Sequence, residues 1–296
     1  MVSANLNWQS KLVLLLVLPI AGTGLVLHIH WWALQVPSVA IWTVGLSLLL
    51  ALVVLKLRAA TLAGAATGAV VTASLMFSTV SFPYEPWHTA LPPVLAVSLL
   101  AWLATRAGRA RKEVPGSAES RRGRSASQIA ANLGVAALAC LELVQSWLTD
   151  THLLSSPALL HGAVFAPGLA ALAEAAADTV SSELGQVLGG RPRLITSLRS
   201  VDPGTDGAIS LLGTFAGVAA AGIVAGIGSW ALGGSFALFW MSGTGAVFGL
   251  FFDSLLGATL ERRGWLNNDA VNFLSTASAA MFAVAMIIAS SSYGAG

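Results

Sequence analysis

The stretch Ser38-Val-Ala-Ile-Trp-Thr-Val-Gly-Leu-Ser-Leu-Leu-Leu-Ala-Leu-Val-Val-Leu-Lys-Leu57 meets no charge until Lys56. A helix that crosses a bilayer needs about 20 predominantly apolar residues. Inside hydrocarbon the backbone must satisfy its own hydrogen bonds, which a helix does. Comparable runs occur at about 11–28, 60–81, 88–105, 128–149, 157–187, 208–230, 235–260 and 270–289. Composition agrees. Of 296 residues, 56% are hydrophobic and 9% charged, with a mean hydropathy of +0.78, whereas soluble domains carry about 25% charged residues. Such a chain cannot cover a water-facing surface, and it lacks the polar signature of disorder. The expected fold class is all-α, a polytopic membrane protein of about nine transmembrane helices.

The charges support that count. If the connections alternate between two sides, one side receives Lys11, then Lys56 and Arg58, then the block from Arg106 to Arg124. It also receives Arg191, Arg193 and Arg199, and finally Arg262 and Arg263, which completes all 15 basic residues. The other side holds His28, His30, Glu85, Asp150 and His152. The positive-inside rule then places the N-terminus and the basic loops in the cytoplasm and the C-terminus outside. That placement fits a bacterial cytoplasmic membrane. Net charge is only +2, so no global field argues for nucleic acid. The first run is expected to be retained rather than cleaved, because no polar cleavage region follows it.

Some features read as packing or anchoring. Cys140 is the single cysteine, so internal disulfides and cysteine-based zinc sites are out; it is expected to be a small packing residue. The pairs Gly64/Gly68, Gly213/Gly217, Gly222/Gly226 and Gly245/Gly249 have the spacing of close helix contact. Trp31, Trp32, Trp87, Trp230 and Trp265 fall near run ends, where indole rings anchor. The basic stretch 106–127 reads as a cytoplasmic loop. At 1.5 Å per residue the run 157–187 is about 46 Å long, and Pro167-Gly168 suggests a break within it.

Ionisable groups inside spans are costly and are usually paired or functional. The candidates are Glu142, Glu174, Asp178, Glu183 and Asp253. Glu174, Asp178, Ser182 and Gly185 fall on one helical stripe, and no basic residue is expected at that depth. Two carboxylates one turn apart repel unless a cation or a proton lies between them. The stripe therefore calls for a bound divalent cation, or for a protonated Glu174 bonded to a neighbouring helix. The segment that follows, Gly189-Gly-Arg-Pro-Arg-Leu-Ile-Thr-Ser-Leu-Arg-Ser-Val-Asp-Pro-Gly-Thr-Asp-Gly207, concentrates three arginines, two acids and four glycines. Guanidinium forks suit phosphate oxygens, and glycine-rich backbone can close N–H groups on an anion. Gly204, Thr205, Asp206 and Gly207 lead into the next helix, whose N-terminus favours negative charge. Asn132, Asn268 and Asn272 lie at the same level. Together these describe a polar pocket at the cytoplasmic face, suited to a metal-bound nucleotide and a lipid-borne acceptor. The other reading is a transporter or flippase for an anionic lipid or metabolite, with Glu142, Glu174 and a broken helix at Pro167-Gly168 as a mid-depth ion site.

Five ordered motifs carry a family resemblance. They are Asp178-Thr-x-x-Ser-Glu-x-Gly185, Arg191-Pro-Arg-Leu-Ile-Thr196, Pro203-Gly-Thr-Asp-Gly207 with Leu211-Leu-Gly-Thr214, Asp253-Ser-Leu-Leu-Gly-Ala-Thr-Leu260, and Asn268-x-x-Val-Asn272. They resemble the integral membrane family catalogued as domain of unknown function 92, which includes transmembrane protein 19 and the plant phytyl-phosphate kinase of vitamin E biosynthesis. The resemblance covers about residues 60–290, leaving 1–58 as an N-terminal extension with two spans. Val180 and Ser197 depart from the usual Trp and Thr. A fainter likeness to CTP-using polyprenol kinases favours a cytidine nucleotide. The resemblance implies phosphoryl transfer from a nucleoside triphosphate to an isoprenoid (phytyl or prenyl) monophosphate. In that scheme Asp178, Glu183 and Asp253 hold Mg²⁺. Arg191 and Arg193 clamp the donor phosphates, and Gly204–Gly207, Ser182, Asn132, Asn268 and Asn272 complete the nucleotide pocket.

Overall fold

The computed structural model describes residues 7–112, 123–150, 162–188, 190–234 and 236–293. The middle of the basic loop, the start of the run 157–187 and Gly189 lie outside them. The helices are α1 (Trp8–Gln35), α2 (Pro37–Lys56), α3 (Leu62–Ser78), α4 (Leu91–Lys112), α5 (Ala126–Ala139), α6 (Glu142–Asp150), α7 (Ala166–Leu188), α8 (Leu211–Ala231), α9 (Phe236–Leu256) and α10 (Asn268–Tyr293). A π-helical turn, Gly257–Glu261, extends α9. A two-stranded antiparallel ribbon, β1 (Arg193–Leu194) with β2 (Ala208–Ile209), pairs Arg193 with Ile209 and Leu194 with Ala208.

The protein is an all-α polytopic membrane protein. By length and apolarity α1, α2, α8, α10 and α9 with its π turn can cross a membrane; α5 and α6, bent by 43°, make a sixth span if taken together. The remaining expected spans are also helical: α3 and the apolar part of α4 are shorter, and α7 carries the acids. Large apolar side chains such as Leu15, Leu62, Leu211 and Phe215 face outward, the arrangement expected where the solvent is lipid.

The helix α7 is central. It packs on α4, α5, α8, α9 and α10, and every residue from Ala166 to Ala177 is buried. Small residues allow this. At Gly213 and Gly217 of α8 an added Cβ would lie 2.8 Å from the carbonyl oxygens of Ser181 and Ala177, so α8 lies backbone-close to α7. Gly245 and Gly249 do the same for α9 against α10 and α7. Gly222 meets nothing within 4 Å, so the close-packing role expected for Gly222/Gly226 does not extend to it.

The break expected at Pro167-Gly168 falls just ahead of it, where helical residues 162–163 give way to a turn at Val164 and Phe165 before α7 begins. Pro167 occupies the first turn of α7, where a missing N–H leaves no bond unmade, and α7 runs unbroken to Leu188. Gly168 lets α7 press against Cys140 Sγ and the Ala136 carbonyl. A further bend falls in the preceding run, between α5 and α6. Cys140 is buried there, as expected of a packing residue.

The connections gather in two groups. At the basic end the Gln9 amide donates to the Trp265 carbonyl at 2.7 Å, and Ser10 Oγ donates to Asp269 at 2.6 Å. Arg124 N–H donates to the Ala59 carbonyl at 2.9 Å and Thr61 N–H to the Arg124 carbonyl at 3.0 Å. At the other end Gln145 donates to the Ser78 carbonyl at 2.8 Å, and the His88 and Trp230 rings lie 5.6 Å apart. Thus α1 and α2 form part of the same bundle as α3–α10.

Candidate functional site

Helices at the basic end begin with side-chain caps. Thr61 accepts from Gly64 N–H at 3.1 Å, Ser210 accepts from Gly213 N–H at 3.1 Å, and Ser125 forms a reciprocal capping box with Gln128. Such caps satisfy orphan N–H groups and fix where each helix starts. Between these starts lie two cavities, of about 410 and 250 Å³. Asp178, Ser182, Asn268 and Asn272 belong to the walls of both.

The smaller cavity is polar. Asp178 and Ser182 of α7, Asp253 of α9, and Asn268 and Asn272 of α10 face the loop residues Gly204, Thr205, Asp206 and Gly207 across it. Ser210, the cap of α8, and Glu261 of the π turn complete the wall. The loop is fixed by backbone contact. Gly207 has φ +72°, and a Cβ there would strike Ala258; a Cβ on Gly257 would lie 2.7 Å from Gly207 N. Only glycine allows so close a docking with a left-handed backbone. Thr205 Oγ1 donates to the Asp202 carbonyl at 2.7 Å, closing the turn.

Two buried carboxylate oxygens, Asp253 Oδ2 and Glu174 Oε1, have no hydrogen-bond partner among the described residues. Unsatisfied buried oxygens are expensive, so they mark places where a cation or a proton belongs. Glu174 lines neither cavity. It is packed beside Gly249, where a Cβ would lie 2.6 Å from its Cγ, and against the Ser275 region of α10.

The structure brings together Asp178, Ser182, Asp253, Asn268, Asn272 and the 204–207 loop, and it corrects several other expectations. Among the described residues no three His, Cys, Asp or Glu side chains are grouped closely enough to ligate one ion. The magnesium triad Asp178, Glu183, Asp253 is therefore not assembled. Five residues on a helix turn Glu183 about 140° away from Asp178, and Glu183 lines the larger cavity beside Asp178 but not the smaller one that holds Asp253. Asn132 also lines the larger cavity, its amide donating to the Gln128 carbonyl at 2.8 Å. Arg191 and Arg193 line neither cavity and are exposed. The ribbon alternates side chains: Pro192 and Leu194 turn inward, Arg191 and Arg193 turn outward, and Arg193 donates to the Leu198 carbonyl at 3.3 Å. Glu142 is exposed at the start of α6 and does not join Glu174 in either cavity.

Sequence reading missed Arg124. The side chain is half-buried at the start of α5, lines the larger cavity, and donates through Nη2 to Thr179 Oγ1 at 3.1 Å. Burial lowers its pKa from the usual guanidinium value, while the charges of Asp178 and Glu183 raise it. A basic residue does therefore stand at the depth of the acidic stripe.

The chain is 43% identical over 108 residues to an uncharacterized membrane protein of Methanocaldococcus jannaschii, a match covering 36% of this chain and 45% of that protein. It is 34% identical over 203 residues to an uncharacterized membrane protein of Synechocystis, covering 64% and 71% of the two chains. It is 29% identical over 205 residues to Protein VTE6, chloroplastic, of Arabidopsis thaliana, covering 65% and 57%. The chain thus spans under half the length of the archaeal relative and somewhat over half of the plant one. No solved structure matches. The model of the family described as integral membrane protein DUF92 matches residues 45–280, from the middle of α2 to the middle of α10, and the chain belongs to that family.

Proposed function

We propose that the chain is a membrane kinase that moves a phosphoryl group from a nucleoside triphosphate, CTP favoured, to an isoprenoid monophosphate. The observation that carries the reading is the polar cavity. A glycine loop held by backbone contact, a capped helix start and two carboxylates from separate helices converge on one space of about 250 Å³. The family resemblance, with its phytyl-phosphate kinase member, supports the choice of acceptor.

Phosphoryl transfer asks the protein for positioning and charge neutralisation more than for covalent chemistry. An oxygen of the acceptor phosphate attacks the γ-phosphorus. The bond from that phosphorus to its bridging oxygen breaks, and isoprenoid diphosphate and nucleoside diphosphate result. The acceptor is already an anion, so no strong base is needed, and among the described residues no histidine lines either cavity. Asp178 and Asp253 would hold Mg²⁺, which supplies neutralisation of phosphate charge. Magnesium commonly takes one or two carboxylates, with water and substrate phosphates filling the rest of its shell, so the missing third acid is no obstacle. The unpartnered Asp253 Oδ2 fits that role. Gly204–Gly207 would shape the backbone around the donor phosphates, with the start of α8 behind Ser210. The segregation of Lys and Arg supports a cytoplasmic-facing site in a cytoplasmic membrane.

Incubating the purified protein with Mg²⁺, γ-labelled CTP or other nucleoside triphosphates, and phytyl or geranylgeranyl monophosphate should yield labelled diphosphate. Asp178→Asn and Asp253→Asn should abolish it in folded protein. Absence of product with every nucleotide, together with tracer uptake into sealed vesicles, would instead establish a transporter.

A further inference from the structure

We infer that the larger cavity seats the lipid acceptor, with Arg124 as the ligand of its phosphate; this rests on the kinase reading above. The wall of that cavity is apolar on one side and polar on the other, where Asp178 and Glu183 of α7 stand beside the arginines. Leu50 and Val54 of α2, Gly68 of α3, and Val97 and Ala101 of α4 make an apolar slot. Arg58 just past α2, Arg106 in the last third of α4 and Arg124 just before α5 make a cationic mouth.

Arg124 is the best fixed of the three. Its N–H and C=O are bonded to Ala59 and Thr61, and a Cβ on the preceding Gly123, at φ +74°, would lie 2.8 Å from Ala60 N. A guanidinium carries five N–H donors in a planar fork, and Thr179 takes one of them. Arg106 is held at the rim over the Trp102 ring, 4.8 Å from its centroid. Asp178 is common to both cavities, so a phosphate on Arg124 stands across Asp178 from the glycine loop. That is the relation an acceptor oxygen needs to a donor phosphate.

The shape of the space selects the ligand. A free phosphate has no use for an apolar slot of this length. The slot runs between two helix groups, since α2 packs chiefly on α1 and α3 whereas α4 packs chiefly on α7 and α8. A single prenyl chain can leave between them into the bilayer. The ligand class is therefore a single-chain isoprenoid monophosphate.

The test is equilibrium binding to the full-length protein in detergent without turnover. One titration uses labelled geranylgeranyl monophosphate, and another uses a non-hydrolysable nucleotide analogue with Mg²⁺. Arg124→Gln should weaken the lipid by about tenfold or more, near the cost of one charged contact, and leave the nucleotide unchanged. Ala101→Phe, which fills the slot without touching the arginines, should do the same, and Asp253→Asn should do the reverse. Native lipid affinity in both Arg124→Gln and Ala101→Phe would overturn the assignment. Displacement of the lipid by equimolar inorganic phosphate or by two-chain phosphatidic acid would also overturn it. Arg124-dependent lipid binding with no diphosphate formed from any nucleotide would uphold this site and refute the kinase reading.

Discussion

Arg124 Nη2 donates to Thr179 Oγ1 at 3.1 Å, which anchors the first residue of the α5 lead-in to the helix turn that carries Asp178. The bond joins two segments 55 residues apart and sets a cation against the acidic stripe. An arginine can keep this bond while offering further parallel donors to a phosphate; a lysine has a single point charge and cannot reproduce the fork.

Arg124→Lys should therefore keep the fold and part of the activity. Steady-state kinetics should show the KM for isoprenoid phosphate raised by about tenfold, with the nucleotide KM unchanged. An equal rise in both KM values would mean that Arg124 supports the whole basic end and serves neither substrate in particular.

Asp253 should show opposed effects on activity and stability. Its Oδ2 is buried without a hydrogen-bond partner among the described residues, and an unsatisfied buried oxygen is costly. Asp253→Asn should cut phosphoryl transfer by about 10²–10³-fold, the range for losing one group that stabilises developing charge. The melting temperature should hold or rise. Added Mg²⁺ should raise the Tm of the native protein, because a ligand that binds only the folded state stabilises it. It should leave Asp253→Asn unmoved, and a magnesium shift of equal size in the variant would remove Asp253 from the ion site.

The two kinds of glycine should separate in stability measurements. In Gly249→Ala the new methyl would lie 2.6 Å from Glu174 Cγ and 2.9 Å from Ala279 Cβ, and overpacking of this sort costs about 1–3 kcal/mol. Gly222 has open space around it, so Gly222→Ala should be neutral or gain up to about 1 kcal/mol of helix propensity. Unfolding titrations of the two variants in mixed micelles would show the contrast.

Much of this was legible in the chain. The apolar runs marked the helices, and the i, i+4 step from Glu174 to Asp178 to Ser182 placed a polar stripe on what proved to be the central helix. What failed needed tertiary information. Glu183 looked like a partner of Asp178 and Asp253 at one ion, but five residues of helix turn it out of the smaller cavity that those two share. Arg191 and Arg193 looked like a phosphate clamp because they sit in a glycine-rich loop. The loop pairs as a ribbon, and strand alternation sends both outward. Arg124 was hidden among basic residues of a linker. The capping box at Ser125 and Gln128 was a visible sign that Arg124 directly precedes a helix start. Its approach to Asp178 depends on pairing with Ala59 and Thr61, more than 60 residues earlier in the chain, which no local pattern records. Pro167 marked the helix start just after the break, because proline suits a first turn as well as a kink.

The orientation of the bundle can be read directly. With the buried Cys140 replaced by Ala, single cysteines at Thr196, in the ribbon loop, and at Ser81, at the opposite end, should react with a membrane-impermeant maleimide from opposite sides of oriented vesicles. Labelling of both from one side would contradict the alternation of connections.

Two adjoining cavities share Asp178, and the proposed kinase needs one for each substrate. Photolabelling tests this most directly. An azido-nucleotide and a diazirine-bearing isoprenoid monophosphate are bound in turn to the native protein, and the modified peptides are mapped by mass spectrometry. The nucleotide should mark residues 203–210 and the lipid should mark α3 and α4 around Gly68 and Val97. Both probes on the same peptide, or the lipid on the 203–210 loop, would contradict the arrangement.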